Sequence, residues 1–205
     1  MEILNDIWIN RTYCPNDNFK IKDNYTVIDI GAHIGLFSIF AYKSAKNVRM
    51  FSYEPMKKSF EVLKKSIKLN KADVKAFNLG ILGESCKRKL HMNSFGINPI
   101  LGIPTEINCI TLEDIFKRNK IERCHFLKID TDGSEYEILL NTPRKYFKKI
   151  DLIAIECHPH PKYDYKDIIN MLSHLNFEYI ISGGPMSFCM LYFKKIKKKK
   201  SKNEI

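Results

Sequence analysis

A chain of 205 residues with 44% hydrophobic content is long enough to bury a sizeable core and too apolar for global disorder. The net charge of +11 invites an anionic partner, but Lys194–Lys202 alone supplies seven of the positive charges, leaving a mildly basic body. No apolar run reaches the length of a membrane span, and Met1-Glu2-Ile3-Leu4-Asn5-Asp6 lacks the basic flank and apolar centre of a secretory signal. The six cysteines, Cys14, Cys86, Cys109, Cys124, Cys157 and Cys189, form no C-x-x-C pair and no zinc spacing. They read as small core residues of a protein in a reducing cytoplasm, not as a disulfide framework.

Residues 1–25 hold one strand-like piece, Ile7–Ile9, and the single tryptophan, Trp8. This segment is expected to cap the site that follows. From Thr26 the patterns alternate. Thr26–Ile30 is strand-like, and Ile34–Lys46 places Ile34, Phe37, Ala41 and Ala45 on one helical face. Val48–Tyr53 reads as the second strand. Met56–Leu69 repeats Phe60, Leu63 and Ile67 at helical spacing, and Asp73–Leu79 is the third strand. Residues 80–110 break the rhythm with Gly80, Gly83, Gly96, Gly102, Pro99 and Pro104 between short pieces such as Lys87–Met92 and Glu106–Ile110. They predict a hairpin excursion at the sheet edge.

Thr111 with Asp114 three residues later marks a helix start. Cys124–Ile129 is the fourth strand, Ser134–Leu140 a helix stopped near Pro143, and Ile150–Ile155 the fifth strand. A helix over Tyr163–Leu175 precedes Phe177–Ser182 and Ser187–Lys194, joined by the turn Gly183-Gly184-Pro185. Alternating strands and helices define an α/β, Rossmann-like sheet of seven mostly parallel strands, with an antiparallel C-terminal hairpin strand. The main domain is expected over 26–194. The lysine-rich stretch 195–205 is expected to be a disordered tail.

Within the first unit, Val27-Ile28-Asp29-Ile30-Gly31-Ala32-His33-Ile34-Gly35 spells strand, tight turn and helix start. Glycines permit such a turn and a close backbone approach to a ligand. A pyrophosphate site needs G-x-G-x-x-G, and here His33 stands where the middle glycine would be. Asp29, just before the first glycine, repels phosphate and attracts an ammonium group. S-adenosyl-L-methionine fits, having a nucleoside, no phosphates and a cationic amino-acid end. Glu54 follows at the tip of the second strand, placed to accept hydrogen bonds from both ribose hydroxyls.

Ligands of open parallel sheets bind beyond the carboxyl ends of the strands. Those ends read Asp29, Glu54, Asn78, Asp130 and Glu156. Neighbouring fourth and fifth strands bring Asp130, Asp132, Glu156 and His158 to one rim. There His158 is expected to take a proton from a substrate hydroxyl, oriented by a carboxylate, or the acids to hold a divalent cation that acidifies it. Glu135 reads as a first-turn residue meeting the helix dipole, and His160 as a solvated loop residue.

The runs at 27–35, Ser52-Tyr53-Glu54-Pro55, Ile110–Ile115, Leu127–Leu139 and Ile155-Glu156-Cys157-His158 together resemble the FkbM-type S-adenosylmethionine-dependent methyltransferases, most specifically through Lys128-Ile129-Asp130-x-x-Gly133-x-Glu135. The likeness covers residues 26 to about 160. It implies the class I methyltransferase fold and O-methylation of hydroxyls on sugars, glycans or other small molecules. It also implies cofactor contacts from Asp29, Gly31, Gly35 and Glu54, and places Asp130 near the methionine end and the reacting centre. From the turn and the strand ends themselves, Ala32 and Asn78 are expected to join the cofactor contacts, and Glu156 and His158 to join Asp130 in catalysis. Asp132 departs from the family, which has glutamate there; the shorter side chain withdraws its carboxylate. Two alternatives stay open. One is an RNA acceptor gripped by the lysine tail, and the other a non-catalytic ligand-binding protein on the same fold.

Overall fold

The computed structural model describes residues 2–93, 96–97, 103–183 and 189–196. Along the chain, helix α1 (Glu2–Trp8) leads to strand β1 (Thr26–Ile30), helix α2 (Leu36–Ser44), strand β2 (Arg49–Tyr53), helix α3 (Lys57–Leu69) and strand β3 (Val74–Phe77). Strands β4 (Gly80–Ile81), β5 (Cys86–Asn93), β6 (Gly96–Ile97) and β7 (Ile103–Ile110) follow. Then come α4 (Leu112–Arg118), β8 (Cys124–Ile129), α5 (Glu135–Asn141), α6 (Arg144–Phe147) and β9 (Ile150–Cys157). The last elements are α7 (Tyr165–His174), β10 (Phe177–Ser182) and β11 (Cys189–Lys195).

The main sheet has seven strands in the order β10-β11-β9-β8-β1-β2-β3. Only β11 runs against the others, pairing antiparallel with both β9 and β10. Every residue of β1 is buried. That is what a central parallel strand covered on both faces requires. One face packs Ile28, Ile30, Leu127, Ile129, Ile153 and Ile155 against α4–α7. The other packs Val27, Phe126, Leu152 and Ala154 against Phe37 and Ala41 of α2, with Tyr13 and Phe19 from the N-terminal segment.

Local signals set several element ends. Thr111 Oγ1 accepts from Asp114 N (3.0 Å) while the Asp114 carboxylate accepts from Thr111 N (3.1 Å), a reciprocal cap that starts α4. Helix α2 begins later than the pattern suggested because Gly35, at φ +91°, is its N-terminal cap. Pro143 separates α5 from α6, as a residue without an N–H must.

Two expectations are corrected. Ile7–Ile9 is not a strand: residues 2–8 form α1, which buries Ile7 and sets the Trp8 ring edge-on to Phe40 of α2 at 5.5 Å. Three consecutive apolar residues cannot distinguish the two periods. Residues 80–110 are not a hairpin on the main sheet's edge. They build a separate four-stranded sheet in the order β4-β7-β5-β6, in which β4 and β7 are parallel. The turn at Gly184-Pro185, Pro99, Gly102 and the lysines from 197 onward lie outside the described residues.

Candidate active site

The turn after β1 is shaped by what the two glycines exclude. Gly31 has φ +78°, and a Cβ there would sit 1.7 Å from the Asp130 carbonyl oxygen. At Gly35 a Cβ would meet Leu63 Cδ1 at 2.5 Å. Both glycines therefore serve close approach between protein segments, β1 against the end of β8 and α2 against α3, in addition to the turn itself. His33 between them is also left-handed, at φ +49°.

This turn closes over Glu54. The Glu54 carboxylate accepts from His33 N and Met56 N, each at 2.8 Å. It is 5% exposed and faces the cavity described below. Burial pushes its pKa up to about 7, although both backbone N–H groups and the Lys128 ammonium favour the ionised form. Asn78 does not line the cavity. Its amide donates to the carbonyls of Glu54 (2.8 Å) and Pro55 (2.9 Å), bracing the bend that aims Glu54.

Asp29, expected to meet a ligand's ammonium, is fully buried and does not line the cavity. Ser38 Oγ donates to it at 2.6 Å, and Lys128 Nζ lies 3.2 Å from its other oxygen. The register of β1 and β8 pairs these two residues directly. Lys128 in turn donates to the Gly31 carbonyl at 2.7 Å and stands 3.4 Å from Asp130. Burial disfavours its charge, but Asp29 and Asp130 outweigh that and hold its pKa well above the ordinary lysine value. The ammonium that Asp29 answers belongs to the protein. The signal was present: a lone lysine in the apolar run Cys124–Ile129.

At the tips of β8 and β9 the acids gather around Tyr13. Its hydroxyl is 2.8 Å from Asp130 Oδ2 and 2.9 Å from Glu156 Oε2. One phenol carries one proton, so it cannot donate fully to both carboxylates at once. Burial and the neighbouring Asp130 raise the pKa of Glu156, and burial with both carboxylates raises that of Tyr13. No local pattern in residues 1–25 pointed to Tyr13.

His158 stands behind this pair, outside the cavity lining. Its Nδ1 is 3.1 Å from Glu135 Oε1, and its Nε2 lies 3.7 Å from Asp132 and 3.8 Å from Glu156. Burial opposes the imidazolium, yet the Glu135 hydrogen bond and the charges of Glu135, Asp130 and Asp132 push its pKa up to about 9. At neutral pH the ring is therefore a cation without the lone pair that a proton acceptor needs. The expectation of His158 as general base is not met by this arrangement. Glu135 stands in the first turn of α5, as expected, and does more there than meet the helix dipole. It is fully buried and accepts from Thr131 N and Gly133 N, at 2.9 and 3.0 Å, fixing the loop between β8 and α5. His160 is engaged with Tyr136 and Tyr163 in ring contacts of 5.4 and 4.9 Å.

Between these rims lies a cavity of about 430 Å³, within the range of small-molecule sites. Its apolar wall includes Ile30, Phe37, Met56 and Leu82, and its polar groups include Glu54, Asp130 and Glu156. Gly31 and Ala32 line the turn side. Ile3 and Ile7 of α1 and Ile107 of β7 bring the N-terminal segment and the second sheet onto the same space. A cavity with apolar walls, one carboxylate at the β2 tip and two at the β8 and β9 tips fits an adenosyl group carrying a cationic tail. It does not fit a pyrophosphate. The donor atoms of Asp130, Glu156 and His158 all lie within 4.8 Å of one another, a set of the kind that holds a divalent cation.

The sequence profile described as the methyltransferase FkbM domain matches residues 29–179. The chain belongs to the FkbM methyltransferase family, and is thus an S-adenosylmethionine-dependent methyltransferase on a class I, Rossmann-like fold. It is 23% identical over 193 residues to "Methyltransferase sdnD" of Sordaria araneosa, covering 75% of this chain and 73% of that protein. The solved rRNA methylase of Streptococcus thermophilus superposes with a TM-score of 0.56 at 9% identity, covering 88% of this chain and 92% of that one. Fibrillarin of Aeropyrum pernix, solved with natively bound S-adenosyl-L-methionine, gives 0.54 at 11% identity, covering 84% and 67%. These two likenesses concern the fold. No helix among the described residues is long and apolar enough to cross a membrane.

Proposed function

We propose that the protein O-methylates a hydroxyl of a small molecule, sugar or glycan, with Glu156 as the proton acceptor. The observation that carries this reading is the placement of Glu54 at one end of the covered cavity and Asp130 with Glu156 at the other. When bound, S-adenosylmethionine supplies a methyl group already activated by its sulfonium. Glu54 accepts hydrogen bonds from the ribose hydroxyls. Gly31 and Ala32 shape the turn beside it, and Asp29 acts at one remove by holding Lys128 under that turn. Asp130 faces the cationic amino-acid end.

Alignment for in-line attack is worth roughly 7–11 kcal/mol. That leaves proton removal as the step a side chain must perform. Glu156 lines the cavity, and burial together with Asp130 raises its proton affinity, as suits a general base. His158, held as a cation by Glu135, positions Glu156 and stabilises its charge. Tyr13 stands at the acceptor end, and α1 and the second sheet line the same cavity, so these elements would select the substrate.

A second reading is favoured by the Asp130, Glu156 and His158 donor set. A divalent cation there would have to displace a ring proton of His158, and would then acidify the acceptor hydroxyl directly. One experiment separates these readings from an RNA acceptor. Purified protein is incubated with methyl-labelled donor and fractionated small molecules, glycans or RNA, with and without chelator. Label in a small hydroxylated product, insensitive to chelator and lost in Glu156→Gln, supports the first reading. Chelator sensitivity supports the second, and label confined to RNA refutes both. Absence of transfer to every fraction, with donor binding intact, would favour a ligand-binding protein.

A further inference from the structure

Among the described residues, strand β10 ends the main sheet, and one side of its backbone has no strand beside it. Sheet edges of this kind invite pairing, and proteins blunt them with lysine, proline or bulges. The sequence Phe177-Glu178-Tyr179-Ile180-Ile181-Ser182 has none of these. Five of its six residues are exposed, including Tyr179 (46%), Ile180 (47%) and Ile181 (41%). Tyr179 and Ile181 project from one face and Ile180 from the other, because strand side chains alternate. Beside Ile180 a recess of about 240 Å³ opens between Asn18, Phe19, Glu178 and Lys194.

We propose that β10 pairs with β10 of a second copy of this chain, antiparallel about a twofold axis through Ile180, joining two sheets into one. The strand is complementary to itself in this register. Ile180 meets Ile180 of the copy, with the recess beside it. Tyr179 faces Ile181 twice, an aromatic against a β-branched residue, a favourable cross-strand pair. Glu178 falls opposite Ser182, whose hydroxyl can donate to the carboxylate. No like charges are opposed within the paired strands. A twofold interface of this kind closes at two copies, which removes the exposed edge instead of extending it. The site is remote from the cavity, so the pairing stands whether or not the proposed reaction is correct.

The partner's nature is separable by salt. Two chains of net charge +11 repel, so screening strengthens this association. Binding to an anionic vesicle or a nucleic acid would weaken with salt instead. Analytical ultracentrifugation of the full chain over a concentration series should show a monomer–dimer equilibrium that tightens as salt rises. Ile180→Lys should raise the dissociation constant by roughly thirtyfold or more, with unchanged circular dichroism. Under mild oxidation Ile180→Cys should form a covalent dimer. Glu178→Cys should not, because residue 178 and its copy are roughly 13 Å apart along the paired strands, beyond disulfide reach. A monomer at all concentrations would overturn the proposal. So would a dimer indifferent to Ile180→Lys, cross-linking through residue 178, or vesicle or RNA binding that Ile180→Lys abolishes.

Discussion

The two acidic rims of the cavity are built in opposite ways. At the tips of β1 and β2, Glu54 is held by backbone N–H groups and Asp29 by a buried lysine. At the tips of β8 and β9, Tyr13 joins Asp130 to Glu156, His158 pairs with Glu156 and Glu135, and Lys128 stands by Asp130. Main-chain donors fix a carboxylate in place without titrating. Side-chain partners exchange protons, so at the second rim pH acts on the partners as well as on the acids, whereas at the first it acts through the Glu54 carboxyl itself. The first rim suits recognition of an unchanging cofactor, and the second suits chemistry at a hydroxyl.

The contrast breaks most completely at Gly31, where the rims touch. Gly31→Ala would place its Cβ 1.7 Å from the Asp130 carbonyl in a left-handed backbone. It should cost more than about 4 kcal/mol, or prevent folding, in a denaturant titration. Lys128→Met should be next. It leaves the buried Asp29 carboxylate with its Ser38 hydrogen bond but no counter-charge, at a cost of about 3–5 kcal/mol. The double variant Asp29→Asn with Lys128→Met should recover most of that loss, because an ion pair replaced on both sides leaves no orphan charge. Failure of the double variant to recover would mean that Lys128 stabilises chiefly through Gly31 and Asp130.

His158 tests whether the second rim titrates. Its folded pKa, about 9, lies above the unfolded value near 6.5. Its contribution to stability is therefore complete below pH 6.5 and is lost as pH rises through 9. The full effect is of order 3 kcal/mol. His158→Gln should flatten the fall in stability between pH 6.5 and 9, measured by urea titrations across that window. An unchanged slope would remove His158 as its source.

Glu54 gives the opposite test on the first rim. Its folded pKa, about 7, also lies above its unfolded value, but here the charged form is the one disfavoured. Stability from this group is present below the unfolded pKa and declines as pH rises through 7. Cofactor affinity should move the other way, since ribose binding uses the carboxylate. Calorimetry should show roughly tenfold tighter binding of S-adenosylmethionine at pH 8 than at pH 6. The pH dependence should vanish in Glu54→Gln.

The first rim was legible in the sequence because it lies in contiguous segments: a strand, a glycine turn and an acid before Pro55. Cys124–Ile129 and Phe177–Ser182 were read to the residue for the same reason. What failed was non-local. Glu135 looked like an ordinary first-turn acid because its partners, Thr131, Gly133 and His158, converge only in three dimensions. The second sheet depends on β4 pairing with β7 across about 30 residues, which no turn signal encodes. The reading of Asp29 erred by supplying a ligand's ammonium where the register supplies Lys128.

Tyr13 yields the smallest effect and the sharpest division between the rims. Tyr13→Phe keeps the ring contact with Phe37, at 5.2 Å, and removes only the hydroxyl shared by Asp130 and Glu156. The loss in stability should be about 1 kcal/mol. The informative change is in proton affinity. The hydroxyl donates to Glu156 and so favours its ionised form. Without it, Glu156 holds its proton to higher pH, and the acid limb of the turnover profile should shift upward, while cofactor affinity at the Glu54 end stays unchanged. If the limb does not move, proton removal does not pass through Glu156, and the base must be sought in the acceptor or in a bound cation.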